Sequence, residues 1–290
     1  MIQIVFIKWG TKFSSAYVNG VVAAVRARTD REVRFVCFTD DASGIDDGIE
    51  ARPFPDLGVP FDWLIGRRGT LPKIGIFLEG ALEPDLPTIY LDLDSAITGD
   101  VARMSDCLKA HRSLYLLQRH AVPHWRARGL VHALDADRYY LGNTAFMAFY
   151  PGDWHHVART FMDEFPRWRA DPAQFPAFKQ RIYTEGNERI ISYAARHNSR
   201  VFPRDVAVKF TQEYMAPSLA LARARNAMPW VKARRARQVA LTFHGDVLKP
   251  HRLAEMREGE VVRWKHHVTE WRYPEITAFW QDVLKDERPA

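Results

Sequence analysis

The chain has 290 residues, 47% of them apolar and 12% aromatic, enough to bury a core as one large α/β domain or two small ones. It has no run of about 18 apolar residues, which excludes a spanning helix, and its two cysteines, Cys37 and Cys107, fit reduced thiols rather than a disulfide framework or a zinc site. The net charge of +6 leaves 41 basic residues largely offset by 35 acidic ones, and no basic stretch interleaved with aromatics or matching a nucleic-acid motif accompanies it, so nucleic acid is not an expected partner.

Residues 2–7 are a continuous apolar run of the buried-strand type. The amino terminus lacks the basic region and cleavage site of a signal peptide, so a cytoplasmic protein is expected. The loop Lys8-Trp9-Gly10-Thr11-Lys12-Phe13 leads into residues 14–28, where Tyr17, Val18, Val21, Val22 and Val25 recur at helical spacing. Residues 33–38 are a second strand, and the strand, helix, strand order predicts a parallel unit whose loops gather at the strands' carboxyl ends. The spacing then predicts a helix over 71–82, with Pro72 in its first turn, and a strand over 88–91.

That strand runs straight into Asp92-Leu93-Asp94. Strand side chains alternate faces, so carboxylates two apart are expected to point the same way, and two hard oxygen donors at a strand's carboxyl end suit Mg²⁺ or Mn²⁺. With 21 Asp in the chain, random order alone would give roughly 1.5 such pairs, so position has to decide. A second pair, Asp135-Ala136-Asp137, has no apolar run before it and reads as a polar turn or helix start.

Further along, residues 114–117, 144–150 and 239–243 read as strands and 155–165 and 188–195 as helices. Residues 166–176 and 203–217 read as loops. The stretch 223–237 carries Arg223, Arg225, Lys232, Arg234, Arg235 and Arg237 with no acidic residue, and Trp230 beside them. It reads as a solvated helix face or as a contact with an anionic membrane surface. No internal repeat is visible, so the fold class is α/β with one compact domain and an irregular second half.

Taken together, the strand ending in Tyr90-Leu91-Asp92-Leu93-Asp94, the early parallel unit and the late Phe243-His244-Gly245-Asp246-Val247-Leu248-Lys249-Pro250 resemble glycosyltransferases of the GT-A fold. Family 8, with its glycogenin-like and lipopolysaccharide galactosyl- and glucosyltransferase-like members, looks most similar. The resemblance implies a Rossmann-like GT-A domain over residues 1–250, with a nucleotide-binding half at 1–110, an acceptor and catalytic half at 111–250, and an extension at 251–290 packed on it. It also implies that Asp92, Asp94 and His244 hold Mn²⁺ or Mg²⁺ against the diphosphate of a donor, with Lys249 as a fixed cation on the same phosphates. The interval from His244 to Lys249 is five residues where the family has six, and His251 follows Pro250 where the family has tryptophan.

On the same resemblance, the first loop lies where the base and ribose rest, with Lys8, Trp9 and Tyr17 as donor contacts and Trp9 or Tyr17 stacking on uracil. Lys73 is the basic residue expected on the donor sugar or phosphates, with Arg67 and Arg68 behind it. Leu141-Gly142-Asn143-Thr144-Ala145 and Thr184-Glu185-Gly186-Asn187-Glu188 resemble the catalytic side, which names Asn143, Asn187 and Glu188. From the residues alone, Asn187 is equally a helix cap and Glu188 a charge at a helix's positive end. Trp264, His266, His267, Trp271 and Trp280 are candidates for acceptor contacts.

The expected function is metal-dependent transfer of a hexose from a nucleoside diphosphate sugar, with UDP as the expected nucleotide, to a glycan or saccharide acceptor, with retention implied by the resemblance. Two other readings stand beside it. One is a noncatalytic nucleotide-sugar-binding protein on the same scaffold. The other is a haloacid dehalogenase-type phosphatase, although Ala96 sits where that motif carries Thr or Val.

Overall fold

The computed structural model describes residues 1–66, 70–119, 126, 130, 139–184 and 186–287. Arg67, Arg68 and the Asp135-Ala136-Asp137 pair lie outside these residues. Twelve strands are described in chain order: β1 (Ile2–Lys8), β2 (Val33–Thr39), β3 (Ile49–Arg52), β4 (Thr88–Leu91), β5 (Ser95–Ile97), β6 (Leu114–Leu117), β7 (Asn143–Phe149), β8 (Ser199–Val201), β9 (Ala207–Lys209), β10 (Ala240–Thr242), β11 (Val261–Trp264) and β12 (His267–Glu270).

Seven of them form the central sheet, in the order β3-β2-β1-β4-β7-β6-β8. Only β7 is reversed, pairing antiparallel with β4 and β6, while the other neighbours pair in parallel. Both faces of this sheet are covered, which is why β1 is apolar without alternation. Ile4 and Phe6 pack into one core with Val18, Val22, Phe35 and Leu91, and Val5 packs into the other with Val36, Tyr90, Met147 and Phe161. A smaller sheet, β5-β10-β9, lies beside the carboxyl end of β4, and β11 and β12 form a hairpin.

The helix Ser15–Arg26 forms as its periodicity predicts, burying Tyr17, Val18, Val21, Val22 and Val25, with the Ser14 side chain accepting from the Ala16 N–H. Its outer side meets the last long helix, Pro274–Val283. At Gly20 the two backbones come so close that a Cβ would lie 3.0 Å from Val283. That helix carries Phe279 and Trp280 into the main core, so residues 274–283 are an integral layer of the fold.

Several local expectations are corrected. The helix expected over 71–82 is a 3₁₀ helix, Leu71–Phe77, ending well short of residue 82. Pro72 and Gly75 weaken an α-helix there, and the short 3₁₀ form aims the Lys73 side chain inward. The helix that begins at His155 does not stop before Pro166 but continues to Ala170. Pro166 gives up one backbone bond. Packing compensates, through Phe165 stacked on Phe161 and Trp168 and through Arg167 paired with Asp163. Within 203–217, expected as loop, lie β9 and the helical turn Phe210–Glu213.

The basic stretch 223–237 folds as two helices, Leu219–Ala227 and Pro229–Arg235, and much of its charge turns inward. Arg234 and Arg235 join Arg204 around the fully buried carboxylate of Glu213, while Arg223 pairs with Glu270 and Arg237 with Asp205. Four of its six cations are thus paired with carboxylates, while Arg223, Lys232, Arg237 and the neighbouring Trp230 remain on the exposed side.

Glu213 makes this cage a single electrostatic unit, because removing one partner of a buried pair leaves the others uncompensated. Glu213→Ala is expected to destabilise the fold by about 3 kcal/mol in urea unfolding. A loss near zero would show that the arginines relax into solvent instead.

Candidate functional site

The site forms where β1 and β4 end side by side, with Val5 opposite Tyr90 in the register. Asp92 follows β4 directly, and its N–H still donates to Ala145 of β7 at 2.9 Å. Leu93 and Asp94 then form a turn into β5. The pair was expected to share a face through strand alternation; the turn accomplishes it instead. Asp92 and Asp94 line one cavity of about 170 Å³ with Trp9, Lys12, Phe13, Thr70, Lys73 and Tyr90.

Each carboxylate has a lysine. Lys73, itself buried, donates from Nζ to Asp92 Oδ1 at 2.9 Å and to the Thr144 carbonyl at 3.0 Å, and the Tyr90 hydroxyl donates to the same Oδ1 at 2.7 Å. Lys249 Nζ stands 3.6 Å from Asp94 Oδ2. Burial, then the neighbouring Asp92 charge, pushes the Asp94 carboxyl above its usual range, with Lys249 and Lys12 opposing. Burial and the Asp92 charge likewise push the Tyr90 hydroxyl up, which keeps it a donor.

His244 follows β10 and is within electrostatic reach of Asp92, Lys249 and Lys209. Burial, then the Lys209 cation, lowers its imidazole to about 4, so it is neutral at physiological pH. Its Nδ1 is buried with no hydrogen-bond partner. Among the described residues, no three His, Cys, Asp or Glu side chains are already gathered closely enough to hold a metal ion.

The residues expected on the catalytic side do converge. Asn143, at the start of β7, donates to Glu188, which is ion-paired with Arg119. Asn187 donates to the Thr70 carbonyl at 3.0 Å and accepts from the Thr144 hydroxyl at 3.3 Å, tying the helix Asn187–Ala194 to the Lys73 segment. Asn187 is not the cap of that helix: Gly186 holds the cap position, and the Asn187 side chain faces inward. Glu188 does lie in the first turn, where the helix dipole favours a negative charge.

Three expectations are corrected. Tyr17 does not face the cavity; it is 2% exposed, with its hydroxyl 3.2 Å from His251 Nε2 and its ring against Trp280 and Phe13, so it is core. Lys8 is turned away too, its ammonium donating to the Asp41 carbonyl at 3.0 Å and closing the loop after β2. Trp271 and Trp280 are buried core residues, Trp271 donating to Thr277, and cannot offer faces to a sugar. Trp9 and Lys73 remain at the cavity. Lys12, Tyr90 and Arg119 belong to the site but were not singled out by sequence; the lysine in the first loop was the one readable signal among them.

No family model matches the chain, and no curated protein matches it in sequence. Solved structures do. The galactosyltransferase LgtC in complex with donor and acceptor sugar analogs aligns over 96% of this chain and 95% of its own, at 15% identity and a TM-score of 0.56. An active-site mutant of LgtC aligns over the same shares at 16% identity and a TM-score of 0.57. The apo form of the glycosyltransferase GlyE from Streptococcus pneumoniae TIGR4 aligns over 98% of this chain but 62% of its own, at 12% identity and a TM-score of 0.51. The chain therefore has the GT-A fold of glycosyltransferases, as its sequence resemblance implied.

The segment carrying His244 and Lys249 is pinned at Gly245, whose φ of +89° favours glycine and where a Cβ would overlap the Trp264 indole. Gly245→Ala is expected to lower stability by about 1–3 kcal/mol in urea unfolding and to perturb Trp264 fluorescence. An unchanged midpoint and spectrum would show that the segment is not fixed there.

Proposed function

We propose that the chain is a metal-dependent glycosyltransferase that moves a hexose from a nucleoside diphosphate sugar, with UDP as the nucleotide, to a saccharide acceptor. The observation that carries this reading is the pair Asp92 and Asp94 at the ends of β1 and β4, facing one cavity with Trp9, Lys12 and Lys73. In parallel sheets, ligands bind outside the carboxyl ends of the strands.

The residues fit a divalent cation. Two carboxylates and a neutral imidazole with an unpartnered buried nitrogen suit Mn²⁺ or Mg²⁺, so Asp92, Asp94 and His244 are the proposed holders. When bound, the ion supplies Lewis-acid stabilisation of the charge developing on the departing diphosphate. Lys249 and Lys12 are placed to add fixed cations for the same phosphates, and Lys73 to keep the Asp92 carboxylate oriented. Trp9 offers its ring to the base. Asn143, Asn187 and Glu188 hold the sugar side, where Arg119 and Asn143 orient Glu188 beneath a developing oxocarbenium-like charge. Retention belongs to this proposal and fits a leaving diphosphate polarised on the face that the acceptor enters.

Mn²⁺-dependent nucleotide release from a panel of UDP, GDP and CDP sugars tests the reading. Asp94→Ala is expected to lower release about 100-fold or more with the melting temperature maintained, since this carboxylate is electrostatically costly in the fold. His244→Ala is expected to weaken Mn²⁺-dependent UDP binding. Full release by the Asp94 variant would contradict the assignment. Tight sugar-nucleotide binding by the unaltered chain without release would favour a binding protein.

A further inference from the structure

A second hollow, of about 320 Å³, opens between β9, the turn Phe210–Glu213 and the chain just after β6, and shares no lining residue with the carboxylate cavity. Four cations line it, Arg119, Arg204, Lys209 and Arg225, with His267 beside them and Glu213 as the one carboxylate. Glu213 is already surrounded by Arg204, Arg234 and Arg235, so the hollow retains a surplus of positive charge.

Lys209 is the informative member. It is only 8% exposed, yet among the described residues its ammonium makes neither a hydrogen bond nor an ion pair. The other lining cations have partners: Arg119 has Glu188, Arg204 has Glu213, and Arg225 donates to the Met215 carbonyl. Even so, Arg225 Nε is buried without a hydrogen-bond partner. Burial lowers Lys209 to about 8, with the more distant Glu188 opposing, so the group still carries its proton at neutral pH. With no partner of its own among the described residues, this ammonium is open to the hollow that it lines, and an anion seated there would supply the paired charge that the described part of the chain does not.

The hollow also has a defined relation to the site. Lys209 is paired in register with Thr242, two residues before His244, and Arg119 is joined to Glu188. It therefore borders the catalytic group on residues other than those that line the donor cavity. Its volume is at the small end of ligand sites, suited to one sugar residue.

We infer that this hollow seats an anionic group of the acceptor, a carboxylate or a phosphate on a sugar, held by Lys209 with Arg119 and Arg225; the inference rests on the transferase reading. Such a site would make acceptor choice depend on charge, because a lysine or arginine hydrogen bond to an anion is stronger than one to a neutral hydroxyl.

Calorimetric titration of the full chain with D-glucuronate, glucose 1-phosphate and glucose, without donor or metal, tests the site. One or both anions are expected to bind and glucose is not, with the tighter anion identifying the chemistry. Lys209→Met, which keeps the length and removes the charge, is expected to weaken anion binding about tenfold or more while circular dichroism is unchanged. Equal anion affinity in the two proteins, or no anion binding, overturns the inference. In transfer assays the preference for anionic over neutral acceptors should disappear in the variant through a raised KM. If the preference lost is instead for UDP-glucuronate over UDP-glucose as donor, the assignment to the acceptor is overturned. The titrations need no donor, so transfer without anion binding fails the inference alone. Anion binding without any transfer leaves the hollow as an anion site and removes its role in transfer.

Discussion

Two carboxylates at the end of a buried parallel strand are the constraint around which this molecule is arranged. Burial, and then the nearby Asp92 charge, raise the cost of ionising Asp94. The fold answers with lysines from three separate segments. Lys73 arrives on a 3₁₀ helix, Lys249 from the loop after β10, and Lys12 from the loop after β1. Tyr90 donates from two residues earlier, on β4 itself. The same arrangement that makes the carboxylates tolerable leaves a cavity lined by both signs of charge, which is the basis of the proposed diphosphate and divalent-cation site.

The central sheet makes this arrangement rigid. Because β1 and β4 are covered on both faces, their register is fixed by side chains in two cores, and a slip of one residue would move Ile4 and Val5 into each other's environments. β7, the single reversed strand, continues the pairing past the end of β4 through the Asp92 N–H and begins at Asn143. One strand thereby ties the Asp92 carboxylate to Asn143, Thr144 and, through them, to Glu188 and Asn187. The second half of the chain is irregular in sequence but not in charge balance: its arginines gather around Glu213 and leave Lys209 as the buried cation with no partner among the described residues.

The parallel unit and the aspartate pair were legible because each rests on a local pattern. A strand buried on both faces must be continuously apolar, a helix on a sheet must repeat its apolar residues at three and four, and Asp92 follows an apolar run in the sequence where Asp135 does not. The failures are equally physical. Tyr17 was read as a base-stacking ring although it also falls on the apolar face of its helix, and that periodicity decided its place. Trp271 and Trp280 filled a core for the same reason. Lys8 immediately follows an apolar run, and nothing local shows that its ammonium bends to the Asp41 carbonyl. The roles of Arg119, Glu213 and Lys209 arise from contacts between segments far apart in sequence, and the ion pairs of the basic stretch 223–237 were unreadable because its carboxylate partners lie outside it.

The central claim is that Asp92, Asp94 and His244 form one cation site facing a nucleotide diphosphate. Crystals grown with Mn²⁺ and UDP, measured for anomalous scattering at the manganese edge, test it most directly. The account predicts one peak between the two carboxylates and the His244 imidazole, in contact with the diphosphate. UDP bound with no peak there, or a peak that leaves both aspartates uncoordinated, would contradict it.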